Sequence, residues 1–118
     1  MIRVIRGLHN IRESDQNMWI SIGNFDGLHL GHCALIEKLK SKANASDTKT
    51  MLINFHPSPD VYFHPEQAKA KLTNLRQKIT LLDIFQINQL LLLSFNDKLA
   101  HMSAKDFIEK ILINQLNI

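Results

Sequence analysis

Apolar residues in this chain gather into a few short unbroken runs, and between the runs they recur every three or four positions. Met18-Trp19-Ile20-Ser21-Ile22, Thr50 to Phe55 and Ile87 to Leu93 are the runs. Each is too short for a stable helix and too continuous for a half-exposed strand, which is the pattern of strands buried on both faces of a parallel sheet. Leu35, Ile36, Leu39 and Ala43, and later Leu75, Ile79, Leu82 and Phe85, fall at helical spacing and predict two crossover helices. The first runs out in the loop signal Asn44-Ala45-Ser46-Asp47. Ser103-Ala104-Lys105-Asp106 is a capping box opening a third helix, with Phe107, Ile108, Ile111 and Leu112 on its inner side. Ile2 to Ile5 can add a short strand, followed by a polar connection from Gly7 to Asp15. The alternation is β-α-β-α-β-α, an α/β fold with a parallel sheet and flanking helices, whose ligands belong at the carboxyl ends of the strands.

Composition narrows the picture without redirecting it. With 118 residues, 45% of them hydrophobic, the chain can build one core and is too short for two. Fourteen basic residues against eleven acidic give a formal charge of only +3, and they are scattered singly along the chain. Nucleic-acid binding is not indicated. A single cysteine, Cys33, excludes an internal disulfide framework or a cysteine metal cluster, and a small helix residue is a better reading of it than a reactive thiol. No run reaches membrane-span length and the first residues have no signal-like apolar region, so the expected compartment is the cytoplasm.

The chemistry concentrates in one stretch, where the run at Trp19–Ile22 breaks into Gly23-Asn24-Phe25-Asp26-Gly27-Leu28-His29-Leu30-Gly31-His32. It reads as strand, phosphate loop and helix. Gly23, Gly27 and Gly31 permit positive φ and close approach of a ligand to the backbone, while the helix start offers unpaired N–H groups to an anion. His29 and His32 are three residues apart and share one side of the first turn if the helix starts near Leu28. Such a site suits phosphoryl or nucleotidyl transfer, which depends on positioning and charge stabilisation more than on a nucleophilic side chain. Each histidine alone would pass for a surface or capping residue, and the loop for an ordinary turn; their combination with three glycines after a strand argues for a site.

Gly23 to His32, G-N-F-D-G-L-H-L-G-H, resembles the signature of bacterial FAD synthetases, the adenylyltransferase part of bifunctional riboflavin kinase/FMN adenylyltransferases. Its H-x-G-H core is shared with the wider nucleotidyltransferase superfamily. Phe55-His56-Pro57-Ser58-Pro59 resembles that family's F-x-P-x-P element, with Ser58 where histidine is usual and Asn54 where threonine is common. Leu72-Thr73 to Lys78 resembles its L-T-x-x-x-x-K helix start, Thr73 serving as N-cap, and Ser94-Phe95-Asn96-Asp97 resembles another family segment. The resemblance implies a Rossmann-like nucleotidyltransferase fold that joins ATP and FMN, with Mg²⁺, into FAD and pyrophosphate. By it, Gly23, Asn24, Phe25, Asp26, Gly27 and Gly31 would cradle the ATP phosphates. His29 and His32 would stabilise the transferring phosphate and the leaving pyrophosphate, without a protein-held metal. Phe55, Pro57 and Pro59 would border the flavin, and Tyr62, Phe63 and His64 would either stack on it or pack the loop down.

Residues 1–118 correspond in this reading to the N-terminal part of the adenylyltransferase domain. The family's G-x-D-F-x-F-G element, its later Ser/Thr-rich segment with arginine and the riboflavin kinase domain are absent from the sequence. The expectation is therefore a truncated domain in which Met18–Ile22 is an open edge, prone to self-association or marginal stability and without measurable FAD synthesis. Two alternatives remain open: another H-x-G-H nucleotidyltransferase, or a non-catalytic fragment that binds nucleotide or only another chain.

Overall fold

Leucine, isoleucine and methionine fill the strand runs because the strands are covered on both sides. The computed structural model describes residues 2–23, 30–55, 63–64, 66 and 68–117, with backbone alone for 30–32 and 68–74. Strands β1 (Arg3–Arg6), β2 (Trp19–Ile22), β3 (Thr50–Phe55) and β4 (Gln89–Leu93) form one sheet in the order β1-β4-β3-β2. All three pairings are parallel, with Ile5 opposite Leu91, Ile53 opposite Leu91 on the other side, and Ile22 opposite Ile53. Helices α1 (Leu30–Ala45) and α2 (Ala68–Ile84) follow β2 and β3. After β4 come a single turn α3 (Asp97–Ala100) and a short α4 (Ala104–Asp106) that runs on into a π-helical segment, Phe107–Ile113. Among the described residues no helix is long and apolar enough to cross a membrane.

Alternate side chains of the central strands enter two separate cores. Leu52, Leu90 and Leu92 meet Ile36 and Leu39 of α1 and Leu75 and Leu82 of α2. Met51, Ile53, Leu91 and Leu93 meet Ile111, Leu112 and Leu116 from the C-terminal segment. The sheet thus lies between two helical layers, as the continuous apolar runs require. Thr50 and Asn88 join the strand starts: the Thr50 N–H donates to Asn88 Oδ1 at 3.0 Å and the Asn88 N–H to Thr50 Oγ1 at 3.1 Å.

Four expectations need correction. The strand at Met18–Ile22 is at the edge, as expected for a truncated domain, but it is not buried on both faces: Trp19 and Ile22 are 41% and 42% exposed. Leu35, placed on the inner stripe of α1, is exposed, because Ile36, Leu39 and Ala43 already fill the strip that faces the sheet. Thr73 is no N-cap: α2 is helical from Ala68, so Thr73 lies within it. The third helix is not a regular α-helix. Ser103 does cap its start, its Oγ accepting from the Asp106 N–H at 3.0 Å. Beyond that the turns widen, with Asn114 N–H donating to the Glu109 carbonyl and Leu116 N–H to that of Ile111, both at 3.1 Å. The wider turn points Phe107, Ile111, Leu112 and Leu116 inward and leaves Ile108 exposed.

The N-terminal connection is tied to the sheet by a buried carboxylate. Asp15, 1% exposed, ends a 3₁₀ turn (Glu13–Asp15) and accepts from Arg3 Nη2 at 2.9 Å, Arg3 Nε at 3.2 Å and the Arg12 N–H at 2.8 Å. Gln89 of β4 also bonds it, while Gln89 Oε1 is buried without a hydrogen-bond partner. Burial by itself would raise the Asp15 pKa, but the hydrogen bonds from Arg3, Arg12 and Gln89 outweigh it and hold the carboxyl below its ordinary 3.8. A carboxyl with a lower pKa in the fold than in the unfolded chain stabilises the fold above about pH 4 and loses that contribution as the pH falls through the folded value. Asp15→Asn should therefore cost about 1–3 kcal/mol at neutral pH and flatten the acid limb of the stability curve. Urea unfolding at several pH values checks this, and an unaltered acid limb would remove Asp15 from the account.

Candidate functional site

Parallel strands put their carboxyl ends side by side, and the two sequence motifs leave the sheet from neighbouring ends. β2 finishes at Ile22 and β3 at Phe55, with Ile22 paired to Ile53. Gly23, the first residue after β2, is held to β3 at both of its backbone groups: its N–H donates to the Ile53 carbonyl at 3.0 Å, and its carbonyl accepts from Asn54 Nδ2 at 3.0 Å. Asn54 is 3% exposed. The root of the glycine loop is thereby fixed to the strand that carries the second motif. The loop returns to the sheet layer through α1, which is described from Leu30 and whose first turn carries no carboxylate to compete for an anion.

Phe55 closes the other side of this end of the sheet. Its ring meets Phe95 edge-on, centroids 6.1 Å apart, and Phe107 at 6.4 Å, and Phe95 in turn lies 6.3 Å from Phe63. Such edge-to-face and tilted pairs add about 0.5–1.5 kcal/mol each beyond area burial. The cluster is anchored by half-buried Phe55 and ends in Phe63, which is 65% exposed.

Of the residues singled out from sequence, Gly23 and Phe55 are placed, and they stand at adjacent strand ends. Gly31 and His32 belong to the first turn of α1, their side chains outside the described residues. Asn24, Phe25, Asp26, Gly27 and His29 lie outside the described residues, as do Pro57, Pro59 and Tyr62. Cys33 is half-buried on α1, in keeping with a packing residue. The sequence reading passed over Asn54, noted there only as a departure from the family pattern. The signal was present: one amide inside an otherwise apolar strand must find a partner when buried, and here the partner is the loop root. Phe95 and Phe107 were likewise not joined to Phe55, since nothing local in sequence brings three separate elements together.

A family model described as FAD synthetase matches residues 11–118. The bifunctional riboflavin kinase/FMN adenylyltransferase of Buchnera aphidicola from Schizaphis graminum is 37% identical over 117 residues, covering 99% of this chain and 38% of that protein. Its counterpart from Escherichia coli K12 is 33% identical over 118 residues, again 99% of this chain and 38% of the relative. The chain thus spans well under half the length of these relatives. Among solved structures, one described as a macrolide-efflux protein from Streptococcus pneumoniae superposes with a TM-score of 0.71 at 22% identity, over 99% of this chain and 40% of that one, a likeness of fold. A parallel α/β sheet with glycine loop and aromatic cluster rooted at adjacent strand ends, matched by one family model over nearly its whole length, places the chain in the FAD synthetase family.

Proposed function

We propose that this chain forms the N-terminal part of an FMN adenylyltransferase domain, which transfers the adenylyl group of ATP to FMN and releases pyrophosphate. The observation that carries the reading is the double hydrogen-bonded anchoring of Gly23 to β3, next to Phe55. It roots a phosphate loop and a flavin-side element at one end of the sheet. In this reading the backbone from Gly23 to Gly27, with Gly31, cradles the ATP phosphates, and His29 and His32 donate to charge that develops on the transferring phosphate and on the leaving pyrophosphate. Phe55, Pro57 and Pro59 border the flavin, and exposed Phe63 offers a stacking face. Mg²⁺ would enter with ATP as part of the substrate. Water-soluble substrates of this kind agree with a cytoplasmic setting.

The test is an equilibrium titration with ATP, Mg²⁺ and FMN followed by assay for FAD and pyrophosphate. Preference for FMN over pantetheine phosphate or nicotinamide mononucleotide separates this reading from another nucleotidyltransferase of the superfamily. Gly27→Val and Gly31→Val should weaken ATP binding through strain and steric block, and Asn54→Leu should do the same by releasing the Gly23 carbonyl, whereas Cys33→Ala should bind as wild type. Val variants that bind ATP normally would show the cradle to lie elsewhere.

The histidines act on the transition state. In a chain extended to the length of its relatives, His29→Ala and His32→Ala should each lower kcat by about 10²–10³ with a smaller change in KM, the scale of losing one transition-state donor. A raised KM at unchanged kcat would assign them to substrate binding instead.

Self-association belongs to the same reading. β2 is the last strand of the sheet on its side, and its apolar Trp19 and Ile22 are exposed there without the charge or proline that blunts edges. Sedimentation of the 118-residue chain should show concentration-dependent dimers that Ile22→Lys suppresses. A monomer at every concentration would end that part of the proposal.

A further inference from the structure

A cavity opens at the carboxyl ends of the other two strands, β1 and β4, and among the described residues its lining shares none with the loop and aromatic cluster described above. Its volume is about 420 Å³, within the range of small-molecule pockets, and it is open on one side. The floor is apolar, made by Leu93, Leu99, Met102 and Ile111. Its charged lining has one sign: Lys98 and Lys110 line it beside His9, and among the described residues no carboxylate does. Asp106 reaches Lys110 at 4.0 Å as an exposed pair, too weak to neutralise it.

Two features of the backbone serve this cavity. Gly7, at the end of β1, adopts φ +85°, and a Cβ there would fall 2.8 Å from His9 Cε1, so the glycine makes room for the His9 ring at the cavity wall. Asn10 Nδ2 lies 3.3 Å from His9 Nε2 and holds the ring at the cavity. On the facing wall the π-helical turns carry Lys110 and Ile111, and such widened turns are found disproportionately at functional sites.

From these observations we infer that the β1–β4 cavity is a binding site for a small amphipathic anion, a phosphate or carboxylate borne on an apolar body. The body lies on the leucine, methionine and isoleucine floor. The anionic head meets the Lys98 and Lys110 ammonium groups and the His9 ring. The site stands apart from the proposed ATP loop and tests separately from it.

Phenyl phosphate and benzoate, titrated into the full chain and followed through backbone amide NMR shifts, are the probes. One or both should bind, with shifts at Gly7, Ser94 and Lys98, and whichever binds tighter names the head group. Inorganic phosphate and benzyl alcohol, each carrying half of the chemistry, should bind at least about tenfold more weakly. Lys98→Ala combined with Lys110→Ala, both exposed positions, should weaken phenyl phosphate about tenfold or more, as should Gly7→Ala by displacing the His9 ring. Gly27→Val should leave this binding intact even where it abolishes ATP binding. Unchanged affinity in the double lysine variant, equal affinity for inorganic phosphate, or shifts confined to α1 would each overturn the inference.

Discussion

The enclosure of β3 sets the rest of the molecule. It is hydrogen-bonded along both edges and covered on both faces, with Met51, Leu52 and Ile53 at most 1% exposed. A parallel strand in that position cannot be reached by hairpins, so each neighbour comes with a crossover that returns the chain to the same end of the sheet. Every segment that follows a strand therefore emerges on one side. The glycine loop, the aromatic cluster and the β1–β4 cavity share that side because the backbone hydrogen bonding of the sheet leaves them nowhere else to go.

Within that frame, three polar contacts in the interior each hold two elements in register. Asn54 ties the loop root to β3, Asp15 ties the N-terminal connection to β1 and β4, and the Thr50–Asn88 exchange aligns the starts of β3 and β4. A buried donor or acceptor left unmade costs about 1–3 kcal/mol, so a one-residue slip of β3 or β4 would be penalised at two of these points at once. Apolar packing makes the sheet stable; these few groups make its register unique.

The sequence was most informative where side-chain periodicity carries the information. Thr50–Phe55 is a strand to the residue, α1 ends in the segment marked by Asn44 to Asp47, and Leu75 and Leu82 are buried as their spacing demanded. It was least informative where long-range geometry decides. How far an apolar strand is buried depends on its neighbours: Trp19 and Ile22 look no different in sequence from residues of β4, and the edge position of β2 was expected from the family resemblance and not from its side chains. The widened turns after Asp106 carry no local signature either: Phe107, Ile108 and Ile111 fit an α-helical stripe, and only packing of Ile111, Leu112 and Leu116 against β4 selects the other winding. At the candidate site the glycine and histidine pattern was legible because it is contiguous. The Gly23–Asn54 bond, across 31 positions, and the Phe55–Phe95–Phe107 cluster were not, since tertiary contact alone creates them.

The pairing of β1 with β4 has a consequence for how this chain comes to be folded. Arg3 finds its partner at Gln89, and the Ile2 N–H bonds Asp83 across 81 positions. β1 thus docks late, since the chain as far as Gln89 must exist before its partner does. Loop closure over such a span must precede the contacts that reward it, which makes this step a slow one. Until it is complete, the leucines of β4 present an unpaired apolar margin on the side opposite β2. The time β1 takes to arrive sets how long that exposure lasts.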